Sequence, residues 1–141
     1  MAFELDDFLP YRLAVAAHQV SRRFSERYAA EAGLSIPEWR VLAHLGHSGA
    51  VSVRDITERV HLDKSVVSRA ASRLEEAGLV AKSGHGGDRR LIVLVLTPGG
   101  EALMARLAVV ADRYQAELRA ILGADAHALE RGLARLIAEG A

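Results

Sequence analysis

Between His61 and Gly78 the chain reads His-Leu-Asp-Lys-Ser-Val-Val-Ser-Arg-Ala-Ala-Ser-Arg-Leu-Glu-Glu-Ala-Gly. Placed at 100° steps, Ser65, Ser68, Arg69, Ser72 and Arg73 share one side of a helix, and Val67, Ala70 and Leu74 share the other. An arginine offers a fork of donors that matches a guanine edge or a phosphate, and a serine hydroxyl hydrogen-bonds while letting the backbone come close. That combination suits a helix lying in the major groove of DNA. Lys64 stands at the N-terminal end, where it would meet a phosphate, and Glu75 and Glu76 are held back to the other end. An ordinary amphipathic helix shares the periodicity, but a face needed only for solubility more typically mixes Glu, Lys and Gln.

The neighbouring segments supply what would position such a face. Asp63 is a good N-cap and Gly78 a good stop, with no Pro or Gly between them. Ser52 to Val60 reads as a short helix with a capping box from Ser52 and Asp55, and the turn His61-Leu62 joins it to the next helix. Leu79–Ser83 and Leu91–Leu96 read as two strands, and Gly84 to Arg90 as the loop joining them, glycine-rich and bearing Arg89 and Arg90. A helix-turn-helix followed by a hairpin is a winged helix. The predicted class is mainly α (α+β), a winged helix-turn-helix with a two-stranded wing.

These residues resemble the MarR family of transcriptional regulators over essentially the whole chain. The most specific signature is Asp-x-Arg-x5-Leu-Thr, present as Asp88, Arg90, Leu96 and Thr97. Leu62 to Arg69, then Arg73-Leu74-Glu75 and Gly78-Leu79-Val80, is similar to the family's recognition helix and its exit into the wing. Pro37 to Leu42 resembles the start of its second helix. Val95 stands where the family more often has a polar residue.

The resemblance implies a homodimer in which the first, fifth and sixth helices of two chains interleave, binding double-stranded DNA at an inverted repeat. It implies a repressor released by a small organic effector such as an aromatic acid, with an effector pocket near His18 and Trp39. Lys64, Ser65, Ser68, Arg69, Ser72 and Arg73 become the recognition-helix contacts. Asp88, Arg89 and Arg90 become the wing contacts, with Asp88 orienting an arginine and Arg90 or Arg89 entering the minor groove.

The rest of the chain is consistent with this layout. At 141 residues, half of them hydrophobic, it can bury the core of one domain. The expected lobe is 35–97, flanked by dimerisation helices in 1–34 and 98–141. The first helix, from Phe8 to Glu31, carries Leu13, Ala17, Val20, Phe24 and Tyr28 and ends at Gly33. A second, opened by the capping box Ser35 to Glu38, is expected to run through about Leu45 and end across Gly46 to Gly49. Thr97-Pro98 opens a long helix to Gly123, and a last one from about Asp125 carries Leu129, Leu133, Leu136 and Ile137. These terminal stripes exceed what a small winged helix can cover, which predicts self-association.

Composition excludes several chemistries. No cysteine means no disulfide and no thiol redox sensing. The net charge is zero, but cations outnumber acids from Arg59 to Arg90. No apolar run has the ~20 residues needed to span a bilayer, and the start is acidic, so a cytoplasmic protein is expected. His44 and His47 have an i, i+3 spacing, yet no ligand set completes a zinc site, and no metal or cofactor is expected. Gly84 to Gly87 lies between strands and is no phosphate loop, and no nucleophile and base stand in catalytic order, so an enzyme is not expected. Two other readings share the pattern: a winged-helix protein-interaction module with an acidic partner, and a metal-responsive DNA-binding sensor.

Overall fold

The computed structural model describes residues 2–85 and 88–140, with backbone alone for 84, 85 and 88–91. After a short 3-10 turn at Leu5–Asp7 come α1 (Leu9–Ala32), α2 (Ile36–Ser48), β1 (Val51–Ser52), α3 (Val53–Val60) and α4 (Lys64–Glu76). The chain continues through β2 (Val80–His85), β3 (Asp88–Leu96), α5 (Pro98–Leu122) and α6 (Ala126–Glu139).

Local sequence accounts for most of these boundaries. α1 ends because Gly33 turns left-handed at φ 67°. Ser35 and Glu38 form the full capping box of α2, with Pro37 in its first turn. α2 ends within the expected Gly46 to Gly49, at the far side of that range. Gly46 continues the helix, which stops at Gly49, and a Cβ on Gly46 would lie 3.2 Å from Met104 Cε, so the glycine sits under a packed side chain. Ser52 caps α3 by accepting from Asp55 N–H at 3.1 Å, half of the expected box.

The expected two-stranded hairpin is present as β2 and β3, with one further strand in its sheet and longer strands than expected. The sheet has three antiparallel strands in the order β1-β3-β2, because Val51 and Ser52 pair with Leu94 and Val93 before α3 begins. The strands also run further than the hydrophobic runs do. β2 reaches His85 and β3 starts at Asp88, so the backbone of Asp88, Arg89 and Arg90 is strand instead of loop. Ladder hydrogen bonds can carry strands past the last apolar residue, which periodicity alone cannot show.

The core lies where α2, α3 and α4 meet the sheet. Leu42, Ile56, Val67, Leu74 and Leu94 are fully buried there, and Tyr28 of α1 and Leu107 of α5 belong to the same cluster. Burying each of these large side chains contributes about 1.5–3 kcal/mol. Residues up to Leu107 form one compact unit and residues from Ala108 a second. In the second, Arg119 of α5 pairs with Glu130 of α6 at 2.8 Å, while Leu129, Leu133, Leu136 and Ile137 are exposed. In the first, Phe3, Leu5, Phe8 and Leu9 are exposed, and the rings of Phe3 and Phe8 meet edge to face. No described helix is long and apolar enough to cross a membrane.

Candidate nucleic-acid interface

α4 is held at both ends and along its inner side. Before it, His61 adopts a left-handed conformation at φ 55°, unusual for a residue with a Cβ, and this sharp turn sets α3 against α4. Asp63 occupies the expected N-cap position, but its side chain makes no capping hydrogen bond. At the other end Gly78 is left-handed at φ 75°, Gly78 N–H donates to Glu75 O and Leu79 N–H donates to Leu74 O. That is a Schellman closure, and it launches β2 straight from the helix end.

The junction is tied once more to α5. Thr97 Oγ1 donates to Gly78 O at 2.6 Å and accepts from Gly100 N–H at 3.1 Å, capping α5 on the exit of α4. A Cβ on Gly100 would fall 2.0 Å from Leu79 O, a backbone atom, so only glycine fits there.

Burial along α4 separates the two faces the sequence predicts. Val67, Ala70 and Leu74 are buried, as is Ala71, which the periodicity had not singled out. Lys64, Ser65, Arg69 and Arg73 are exposed, and Ser68 and Ser72 are half-buried at the margin. The serines lie where two grooves meet. One, lined by Ser68, Arg69, Ser72, Arg73 and Glu76, runs along the exposed face of α4. The other is a cleft of about 680 Å³ between α3, α4 and the sheet, lined by Arg54, Thr57, Lys64, Ser68, Ser72, Lys82 and Ile92 among others. Its cations are Arg54, Lys64 and Lys82, and its acid is Glu58, so the cleft is locally basic in a chain of zero net charge.

Arg54, Thr57 and Lys82 were not among the expected site residues. Lys82 had a readable signal: in β2 it follows Val80 at the strand period of two, so it faces the same side as a core residue. Arg54 and Thr57 had none, because their relevance depends on how α3 crosses α4. The wing residues Asp88, Arg89 and Arg90 have side chains outside the described residues, and only their place in β3 is established. Val95, where the family more often has a polar residue, is exposed.

The two effector-pocket candidates have different surroundings. His18 is exposed on α1. Trp39 is half-buried against the core: its ring stacks on Tyr28 at 5.4 Å between centroids and meets Phe24 edge-on at 5.1 Å. Burial raises the Tyr28 hydroxyl pKa, with Arg40 pulling the other way. His44 on α2 is half-buried, and its pKa is lowered by that burial, by the Arg59 charge and by His47. Arg59 itself donates to Ser48 Oγ at 3.0 Å. Among the described residues no three His, Cys, Asp or Glu side chains gather as metal ligands would.

A sequence profile of the MarR family matches residues 32–91. The chain is 38% identical over 87 residues to the HTH-type transcriptional repressor MdtR of Bacillus subtilis (strain 168), covering 58% of this chain and 56% of MdtR, so that match spans little more than half of each protein. The crystal structure of a MarR-family transcriptional regulator from Silicibacter pomeroyi DSS-3 is similar over 98% of both chains, with a TM-score of 0.82 and 28% identity. The PcaV transcriptional regulator of Streptomyces coelicolor, solved with its natural ligand, is similar over 99% of this chain and 97% of its own, with a TM-score of 0.75 and 27% identity.

Proposed function

We propose that the chain is a MarR-family winged-helix regulator: a homodimeric, sequence-specific DNA-binding repressor released by a small organic effector. The observation that carries the reading is the α4 face: arginines and a serine exposed, two further serines at its margin, beside a cleft lined by three cations and one acid. Ser65, Ser68, Arg69, Ser72 and Arg73 are the base readers, and Lys64 neutralises a phosphate. Two such helices related by a twofold axis, about one DNA turn or roughly 10 base pairs apart, would read an inverted repeat.

The apolar side chains left exposed on α6, and separately at the start of α1, support self-association. In the wing, Asp88 is proposed to orient an arginine by a charge-assisted bond, and Arg90 or Arg89 to enter a flanking minor groove. The proposed effector rests on the resemblance to the family and on PcaV having been solved with a natural ligand, and its aromatic-acid class on the resemblance alone. Release needs a coupling of only about 1–3 kcal/mol between ligand and DNA.

The decisive experiment is selection of duplexes from a random pool by the purified protein, with its mass in solution measured alongside. An inverted repeat bound by a dimer is the expected result. Recovery of no sequence preference, or full-strength binding by a monomer, overturns the reading. Arg89→Ala and Arg90→Ala, assayed on operators with A·T-rich and G·C-rich flanks, test the wing. Equal losses on both flanks would make it an electrostatic clamp alone.

A further inference from the structure

Lys82 is a cation on the inner side of a strand. Its partner across the sheet is Leu94, fully buried, and the inward residue before it in β2 is Val80, also buried. A charge in that position needs a partner within reach of its flexible stem. The partners are on the recognition helix: Lys82 Nζ donates to Ser72 Oγ at 3.2 Å and lies 3.7 Å from Glu75 Oε1. The wing is thereby bonded to the very helix turn that carries a base-reading serine.

The direction of the bond matters. An ammonium has no acceptor, so the Ser72 oxygen must offer it a lone pair, and the hydroxyl proton then points elsewhere. Thr57, one helix earlier, uses its own hydroxyl proton on Val53 O at 2.8 Å. Ser72 has no such acceptor among the described residues and lines both the basic cleft and the outer groove of α4. Glu75 lies one turn further along α4, and its carboxylate holds the same ammonium.

We infer that Lys82 is a positioning residue for sequence reading: it fixes the wing against α4 and sets Ser72 as a hydrogen-bond donor. On this inference, which rests on the DNA-binding reading above, Ser72 selects a base-edge acceptor such as guanine O6 or N7, or thymine O4, and disfavours an exposed amino group. A residue acting through Ser72 differs from a phosphate ligand in what its loss changes. A lost phosphate contact weakens all sequences alike and flattens the salt dependence.

The test compares Lys82→Met, Ser72→Ala, the double variant and Lys82→Arg on the duplex selected by the wild-type protein and on random duplex, across a salt series. Lys82→Met and Ser72→Ala should each lose about tenfold on the selected duplex and less than about twofold on random duplex, with the salt slope unchanged. The double variant should be no worse than either single one, and Lys82→Arg should recover most of the loss. Equal losses on both duplexes with the slope reduced by about one would make Lys82 a phosphate ligand and overturn the inference, as would additive losses in the double variant. Amide hydrogen exchange of the DNA-free proteins separates this outcome from failure of DNA binding itself. Lys82→Met should speed exchange in β2 several-fold while Lys82→Arg leaves it protected, and unchanged protection in Lys82→Met would overturn the wing-to-helix link even if no duplex were bound.

Discussion

α4 and α6 are nearly the same length, and each leaves one face uncovered, but the chemistry of the two faces is opposite. On α4 the open face is hydroxyl and guanidinium: Ser65, Arg69 and Arg73 are exposed while Val67 and Leu74 are fully buried behind them. On α6 the open residues are Leu129, Leu133, Leu136 and Ile137, the last at 72% exposure, and α6 has no buried residue. A polar open face is stable as it stands and gains from an anionic partner. An apolar one loses free energy to water at about 25 cal/mol per Å² until something covers it. On the proposed reading, the α4 face is the one that stays open until DNA arrives and the α6 face the one that a second copy covers.

The largest effect that could break this contrast is on α6. Replacing Leu133 and Leu136 by aspartate should dissociate the proposed dimer and, because each lobe then binds a half-site alone, lower operator affinity by about 100-fold or more. Light scattering and operator titration on the same sample check it. A variant that stays dimeric would place the self-association surface elsewhere.

On α4 a single reader should matter less. Arg69→Ala is expected to cost about 1–3 kcal/mol on the operator and to relax preference at one base pair, with little change on random DNA. Loss of equal size on both would reduce the α4 face to a phosphate contact. Lys64→Ala is the complementary change and smaller in its sequence effect. It should weaken operator and random duplex by the same few-fold factor and lower the salt slope by about one. A titration across salt concentrations distinguishes these two variants without a structure.

The same pair of helices shows how much was legible in the sequence. The α4 face is written in residue types at helical spacing, and its ends in Asp63 and Gly78, so both survive folding with one detail lost: Asp63 marks the N-cap without making the capping bond. The third strand was not legible, because Val51 and Ser52 are too short a run to carry a period, and they pair only after β3 is in place. Where α2 ends within Gly46 to Gly49 was not legible, because glycine ends helices more often than it lies within them and the packing of Met104 over Gly46 is a tertiary fact. Lys82 lies in the stretch from Arg59 to Arg90 where cations outnumber acids, but its bond to Ser72 depends on a register that no local pattern encodes. Side chains 84–91 lie outside the described residues, so Asp88, Arg89 and Arg90 stand on the sequence alone.

The smallest expected effect separates charge from titration. Arginine and serine do not change protonation near neutrality, so the reading face of α4 should keep its affinity between about pH 7.5 and 5.5 apart from what folding stability contributes. His44, on α2, is a titrating group with a clear shift in the same lobe. Burial, Arg59 and His47 all lower its folded pKa below the ordinary 6.5. Between the two values the unfolded chain binds more protons than the folded one, so stability rises with pH there. The contribution is fully present above about pH 6.5 and is lost as pH falls through the folded value. Because His44 is only half-buried and solvent screens its neighbours, the loss of Tm attributable to it at pH 5.5 should be small, in the direction given above. His44→Gln, a neutral polar replacement, should remove that increment and leave the remaining acid sensitivity untouched. Parallel melting curves for wild type and variant across the range would assign the effect to another group, and a fall in operator affinity larger than the stability change would show that the reading face itself responds to protons, against the contrast drawn between α4 and α6.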